Sequence, residues 1–250
     1  MTITAAFVSL SGGQGKTTSL VLTAAELAQR GYSVLVIDLD LQADATVAIA
    51  PEAEGSGIAG VLLGKSLLAE AIRPTDLENV SILPATRHLE QIPVWLSGKG
   101  APAFLLAQRL ELSSQTFDIV LIDTPANKSL IHAAAIGAAN AVICPVEASS
   151  KGIGAWERTQ ELLDELREER ATQAELLAVI PCRARRVGAN LVRRCALALE
   201  LLSEELGEIR VAPVWESEEV ANAAANGRLP DTVIIEPYRQ VVDRLLSTGQ

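Results

Sequence analysis

The chain has 250 residues, 49 % of them hydrophobic but only 3 % aromatic, and a formal charge of −10. A core built from Ala, Val, Leu and Ile suits buried parallel strands covered by helices, while the acidic balance excludes a protein coated all over in nucleic acid. No apolar run reaches the roughly 18 residues that span a bilayer, nothing at the start reads as a signal peptide, and Cys144, Cys182 and Cys195 are too scattered for zinc or disulfides, so a reducing cytoplasm is the expected compartment.

Apolar runs predict strands over 3–9, 33–38, 80–83, 117–122, 141–146, 176–181 and 209–212. Between them lie helical patterns such as 17–30, 155–170 and 191–206. This rhythm predicts repeated βαβ units, hence an α/β fold: a single doubly wound domain over 1–250 with a mostly parallel sheet flanked by helices. The charged stretch 157–170 reads as a solvated helix face laced with i,i+4 pairs. The segment from Tyr238 to Gln250 lacks the cationic amphipathic character of a membrane-surface helix, so no membrane partner is expected.

The first predicted strand runs into Ser11, Gly12, Gly13, Gln14, Gly15, Lys16, Thr17 and Thr18, followed by a helix. Glycines there let backbone N–H groups turn onto an anion, and a helix start adds its positive end. Lys16 can reach the β- and γ-phosphates, and the Thr17 hydroxyl can ligate Mg²⁺. The strict phosphate-loop pattern departs at its first position, which is Leu10 rather than Gly. Two further predicted strands end in carboxylates, Asp38 and Asp40 after Val34–Ile37, and Asp123 after Ile119–Ile122. Carboxyl ends of parallel strands line the ligand crevice, so Asp123 is expected to hold the metal through its water shell. ATP and Mg²⁺ are therefore the expected cofactors, and ATP hydrolysis the expected reaction.

These residues resemble the ParA/MinD group of deviant Walker ATPases over nearly the whole chain. The likeness rests on Gly12-Gly13-Gln14-Gly15-Lys16-Thr17-Thr18, on Asp38-Leu39-Asp40-Leu41-Gln42 and on Asp123-Thr124-Pro125. It rests also on Leu62-Leu63-Gly64, Glu70 to Thr75 and Ile82 to Ala85. The resemblance implies an ATP-dependent homodimer, slow hydrolysis and positioning of a cargo on the nucleoid through a small adaptor protein. It implies that Asp40 orients the attacking water, with Asp38 and Asp123 near the metal. Leu41 stands where the group has Pro, and Ala43-Asp44 where it has Gly-Asn. Ser11 stands where the group carries a lysine that crosses the dimer interface, a loss that resembles the carboxysome-positioning branch.

Of the five lysines, Lys16 is committed to its own phosphates, and Lys65 and Lys99 lie in surface-loop surroundings. Lys128 and Lys151 both follow strands at the crevice face. Lys151, flanked by Ser149, Ser150, Gly152 and Gly154, is expected to replace the missing catalytic cation in trans, with Lys128 as runner-up. Between Glu175 and Glu200 there are five arginines (Arg183, Arg185, Arg186, Arg193 and Arg194) and no acidic residue. Such a patch can bind duplex DNA through its phosphates without reading sequence. The alternatives are a plasmid or chromosome partition ATPase and a metabolic P-loop ligase of the dethiobiotin-synthetase type. A nitrogenase-iron-protein-like reductase is disfavoured by its need for cysteines aligned to share a cluster.

Overall fold

A computed structural model describes residues 2–112, 117–225 and 232–248, with only the backbone for 232–234. In chain order the first half comprises β1 (Ile3–Phe7), α1 (Lys16–Gln29), β2 (Val34–Asp38), α2 (Asp44–Ile49), α3 (Gly57–Leu62), α4 (Leu68–Ala71), β3 (Arg73–Pro74), β4 (Val80–Leu83), α5 (Ile92–Ser97) and α6 (Leu105–Glu111). The second half comprises β5 (Ile119–Asp123), α7 (Leu130–Gly137), β6 (Ala141–Glu147), α8 (Ser150–Glu168), β7 (Glu175–Cys182), β8 (Arg186–Val187), β9 (Asn190–Leu191), α9 (Arg193–Leu206), α10 (Glu218–Ala225) and α11 (Thr232–Ser247).

Seven strands form one sheet in the order β3-β4-β2-β5-β1-β6-β7. Only the two-residue β3 runs antiparallel, against β4. Successive strand residues point to opposite faces, and both faces are buried, which is why the strands read as continuous Val/Ile/Leu runs. Leu35, Ile37, Val120 and Ile122 meet the helices α3 to α8 on one side. Val34, Val36, Ile119 and Leu121 meet α1, α10 and α11 on the other. The α/β doubly wound fold expected from the alternating pattern is the one observed.

The topology decides where a ligand sits. β1 lies between β5 and β6, with β2 beyond β5, so Phe7 and Asp38 both stand in register with Asp123. The loop after β1 and the carboxylates ending β2 and β5 therefore emerge side by side at one edge of the sheet.

Three expectations are corrected. Residues 209–212 do not form a strand; Gly207–Ile209 make a 3₁₀ turn and Arg210 contributes only an isolated bridge to Val179. The segment does run along the edge of β7, with Val211 N bonded to Val179 O and Val214 N to Pro181 O. But Ala212 N turns to the Gln240 side chain, and Pro213 has no N–H to offer. The strand expected over 3–9 ends at Phe7, where the phosphate loop begins to bend away. The helix expected from 155 begins at Ser150, capped by Ser149, whose hydroxyl accepts from Gly152 N. Gly152 and Gly154 hid that first turn from propensity. Packing requires the first of them, since a Cβ on Gly152 would stand 1.8 Å from Glu147 O.

Candidate nucleotide site

The loop from Val8 to Gly15 folds back over the start of α1. Gly13 and Gly15 adopt φ of 77° and 90°, the left-handed region that only glycine enters freely. A Cβ on Gly15 would also press on the Cys182 side chain, 3.0 Å from Sγ. Leu10, the departure from the strict pattern, is buried in the core. Its backbone is pinned from α8: Leu10 N donates to Thr159 Oγ1 (3.3 Å) and Arg158 donates to Leu10 O (3.3 Å). The buried Gln14 accepts from Glu147 N at 2.8 Å. α8 and the end of β6 thus brace the loop through Leu10 and Gln14.

The buried Lys16 ammonium donates to Ser9 O (3.2 Å) and Ser11 O (3.4 Å). Burial lowers its pKa, opposed by the nearby Asp123 and Asp40 charges. Thr17 Oγ1 donates to Asp123 Oδ2 at 2.7 Å. Asp123 is fully buried, and burial together with the neighbouring Asp38 charge pushes its carboxyl up to about 8. Its Oδ1 has no hydrogen-bond partner among the described residues. An orphaned carboxylate oxygen beside a threonine hydroxyl fits a hydrated Mg²⁺, which needs few protein ligands and keeps its waters. No group of three His, Cys, Asp or Glu side chains among the described residues could hold a metal ion.

Asp38 and Asp40 are held differently. Asp38 Oδ2 accepts from Thr46 N (2.9 Å) and Thr46 Oγ1 (2.7 Å), while Oδ1 accepts from Asp40 N (3.1 Å). Burial pushes Asp38 up to about 6. Both its oxygens are engaged, so it anchors α2 and the Asp40 backbone. Asp40 is half-buried, and its Oδ1 accepts from Gln42 N at 3.0 Å.

The two candidate lysines separate. Lys151 Nζ donates to Gly12 O at 2.9 Å, directly on the phosphate loop. Lys128 pairs with Glu165 on α8 at 2.5 Å. Of the five arginines, Arg185 and Arg186 lie at the β8–β9 hairpin and Arg193 and Arg194 in the first turn of α9, all exposed. Arg185 pairs with Glu216 at 3.5 Å, and the Arg186 guanidinium stacks on Trp215 at 3.7 Å. Arg183 stands apart, beside Gly13.

Two features escaped sequence reasoning. A cavity of about 520 Å³ opens beside Gly15 and Thr18, walled by Cys182, Val214, Trp215 and Tyr238. Its walls come from four separate segments, so no local motif marks it. The other is His132, fully buried, whose Nδ1 accepts from Ser129 N (3.2 Å) and whose Nε2 faces Pro125 O (3.1 Å). The ring ties the two ends of the loop that follows Asp123, and burial holds its pKa down to about 4. Only the Ser129-x-x-His132 spacing of a helix cap hinted at it.

Residues 2–176 match a family model described as an AAA domain. The chain is 31 % identical over 252 residues to maintenance of carboxysome distribution protein A of Synechococcus elongatus, covering 98 % of this chain and 99 % of that one. It is 34 % identical to the chromosome-partitioning ATPase Soj of Thermus thermophilus, covering 70 % of this chain and 67 % of that one. A solved ATP complex of a McdA variant from Cyanothece superposes with a TM-score of 0.90 at 28 % identity, covering 98 % of this chain and 96 % of that one.

Proposed function

This chain belongs to the AAA-domain family of ParA/MinD-type P-loop ATPases, and from that premise we propose that it is a positioning ATPase that dimerises on ATP, binds DNA without sequence preference and distributes a cargo over the nucleoid. The name of its near full-length relative in Synechococcus elongatus makes carboxysomes the proposed cargo. A small adaptor protein would join the cargo to the ATP dimer and stimulate hydrolysis. Within the site, Lys16 would hold the β- and γ-phosphates, and Thr17 and Asp123 the hydrated Mg²⁺, which neutralises charge on the leaving phosphate oxygens. Asp40 would orient the attacking water. The wall of Val214, Trp215 and Tyr238 would receive the base.

The observation that carries the DNA reading is where the arginines sit. Arg193 and Arg194 occupy the first turn of α9, the positive end of the helix dipole, where a cation weakens the helix. Capping of helix carbonyls therefore does not explain them, whereas an exposed cluster with Arg185 and Arg186 suits a phosphate backbone. Among the described residues no helix is long and apolar enough to cross a membrane.

The test is ATP turnover and plasmid binding, each measured with ATP and with ADP. DNA binding that needs ATP but no particular sequence supports the reading; turnover and binding indifferent to DNA favour a metabolic ligase. The likeness to Soj keeps a partition role as the second reading. Tracking labelled protein against carboxysomes and against plasmids in cells separates those two.

A further inference from the structure

We propose that Arg183 is a nucleotide-binding residue, its guanidinium closing over the phosphate loop of its own subunit to hold the phosphate chain on the side facing the 520 Å³ cavity. The proposal rests on the reading of residues 11–18 as the ATP phosphate site. Four observations carry it. β7 delivers its last residue and the one after it onto that loop: Cys182 lies against Gly15, and Arg183 Nη1 comes within 3.6 Å of the point where a Cβ on Gly13 would stand. Arg183 itself has a φ of 54°, a left-handed backbone that is uncommon for a residue with a side chain and is shared here with Ala43, Asn79 and Arg170. Strain of this kind gathers at ligand sites, where the surrounding structure holds it in place.

The third observation is the company Arg183 lacks. Arg185 has Glu216, and Arg186 has Trp215. Arg183 is exposed and has no hydrogen-bond or ion-pair partner among the described residues. The fourth is its place at a seam. With Gly15 and Thr18 it forms the edge of the cavity nearest the loop, between the anion cradle and the space for the rest of the nucleotide. A planar guanidinium there can present two parallel N–H donors to phosphate oxygens. It also adds positive charge to a loop whose position 11 is an uncharged serine.

Titration of fluorescent ATP and ADP analogues tests this, using the wild-type chain and its Arg183→Ala, Arg183→Lys and Arg183→Gly variants. Arg183→Ala should weaken both nucleotides by about tenfold or more, the scale of one charge-assisted hydrogen bond. Arg183→Lys should fall between, because it keeps the charge but not the fork. Arg183→Gly relieves the left-handed φ and should melt no lower than wild type, yet bind nucleotide as weakly as Arg183→Ala. A merely structural arginine would not show that split. Wild-type nucleotide affinity in Arg183→Ala, with DNA affinity abolished, overturns the proposal and returns Arg183 to the DNA surface. A wild-type protein that binds neither nucleotide overturns it too, by removing the phosphate site on which it rests.

Discussion

Asp38 and Asp40 are two residues apart, yet the protein uses them differently. Asp38 spends both oxygens on Thr46 and the Asp40 backbone, whereas Asp40 keeps one oxygen free of any described partner. Asp40→Ala should therefore fold normally and bind ATP, while hydrolysis falls about a hundredfold or more, the scale of a water-directing carboxylate. Single-turnover ATPase beside an equilibrium binding titration checks this. Asp38→Ala should instead cost about 1–3 kcal/mol of stability, because the buried Thr46 N–H and O–H both lose their acceptor, although the hydroxyl still accepts from Ala85 N. His132 gives a pH prediction. Its folded pKa, about 4, lies below the ordinary 6.5, so between those values the unfolded chain binds the extra proton and stability rises with pH. The span is about 3 kcal/mol, present above pH 6.5 and lost as pH falls toward 4. Asp38, raised to about 6, slopes the other way in part of that window. The check is thus the difference between wild type and His132→Gln in urea melts across pH 4 to 7, which should carry the His132 slope alone.

At the scale of elements, the start of α8 supports the phosphate loop and the hairpin after β7 presents charge. Gly152 lets α8 begin against the Glu147 carbonyl, from which Lys151, Arg158 and Thr159 reach the loop. Gly152→Ala should cost about 1–3 kcal/mol, the usual scale of overpacking, and lower the melting temperature by several degrees. Nucleotide affinity should fall with it, because the same close approach positions the loop. In the arginine segment, Arg185→Ala with Arg186→Ala, or Arg193→Ala with Arg194→Ala, should weaken binding alike on any DNA sequence. The slope of log affinity against log salt should shrink by about one unit for each DNA phosphate no longer neutralised. Unchanged affinity in both double variants would show that DNA binds elsewhere.

For the whole molecule, the proposed ATP dimer raises the question of which residue supplies positive charge across the nucleotide. Ser11 offers none, and Lys151, which donates to Gly12 O of its own loop, is the residue proposed to supply that charge to a facing subunit. Lys151→Ala should abolish ATP-dependent dimerisation and DNA binding while leaving nucleotide binding by the monomer largely intact. Lys128 is engaged with Glu165, so Lys128→Ala should still dimerise. Light scattering of both variants with ATP checks this, and the opposite pattern would transfer the role to Lys128.

Much of this was legible in the residues alone. Alternating apolar runs declared the doubly wound sheet because burial on both faces leaves no other composition for parallel strands. The phosphate loop and its three aspartates declared a nucleotide site because each chemical role needs its residue type at a short, local spacing. What only the tertiary structure decided depends on segments far apart in sequence. The family resemblance gave Asp38 and Asp40 different roles, and the physical difference between them, Asp38 engaged at both oxygens by Thr46 and the Asp40 backbone, comes from the packing of α2 against β2. Flanking small residues already favoured Lys151 over Lys128, and what lies across from each, Gly12 for one and Glu165 for the other, is decided by the fold. Arg183 read as one of five similar cations until the end of β7 set it against Gly13. Local pattern determines which chemistry a chain carries; long-range packing decides which copy of a residue performs it, because contact and burial are properties of the folded chain.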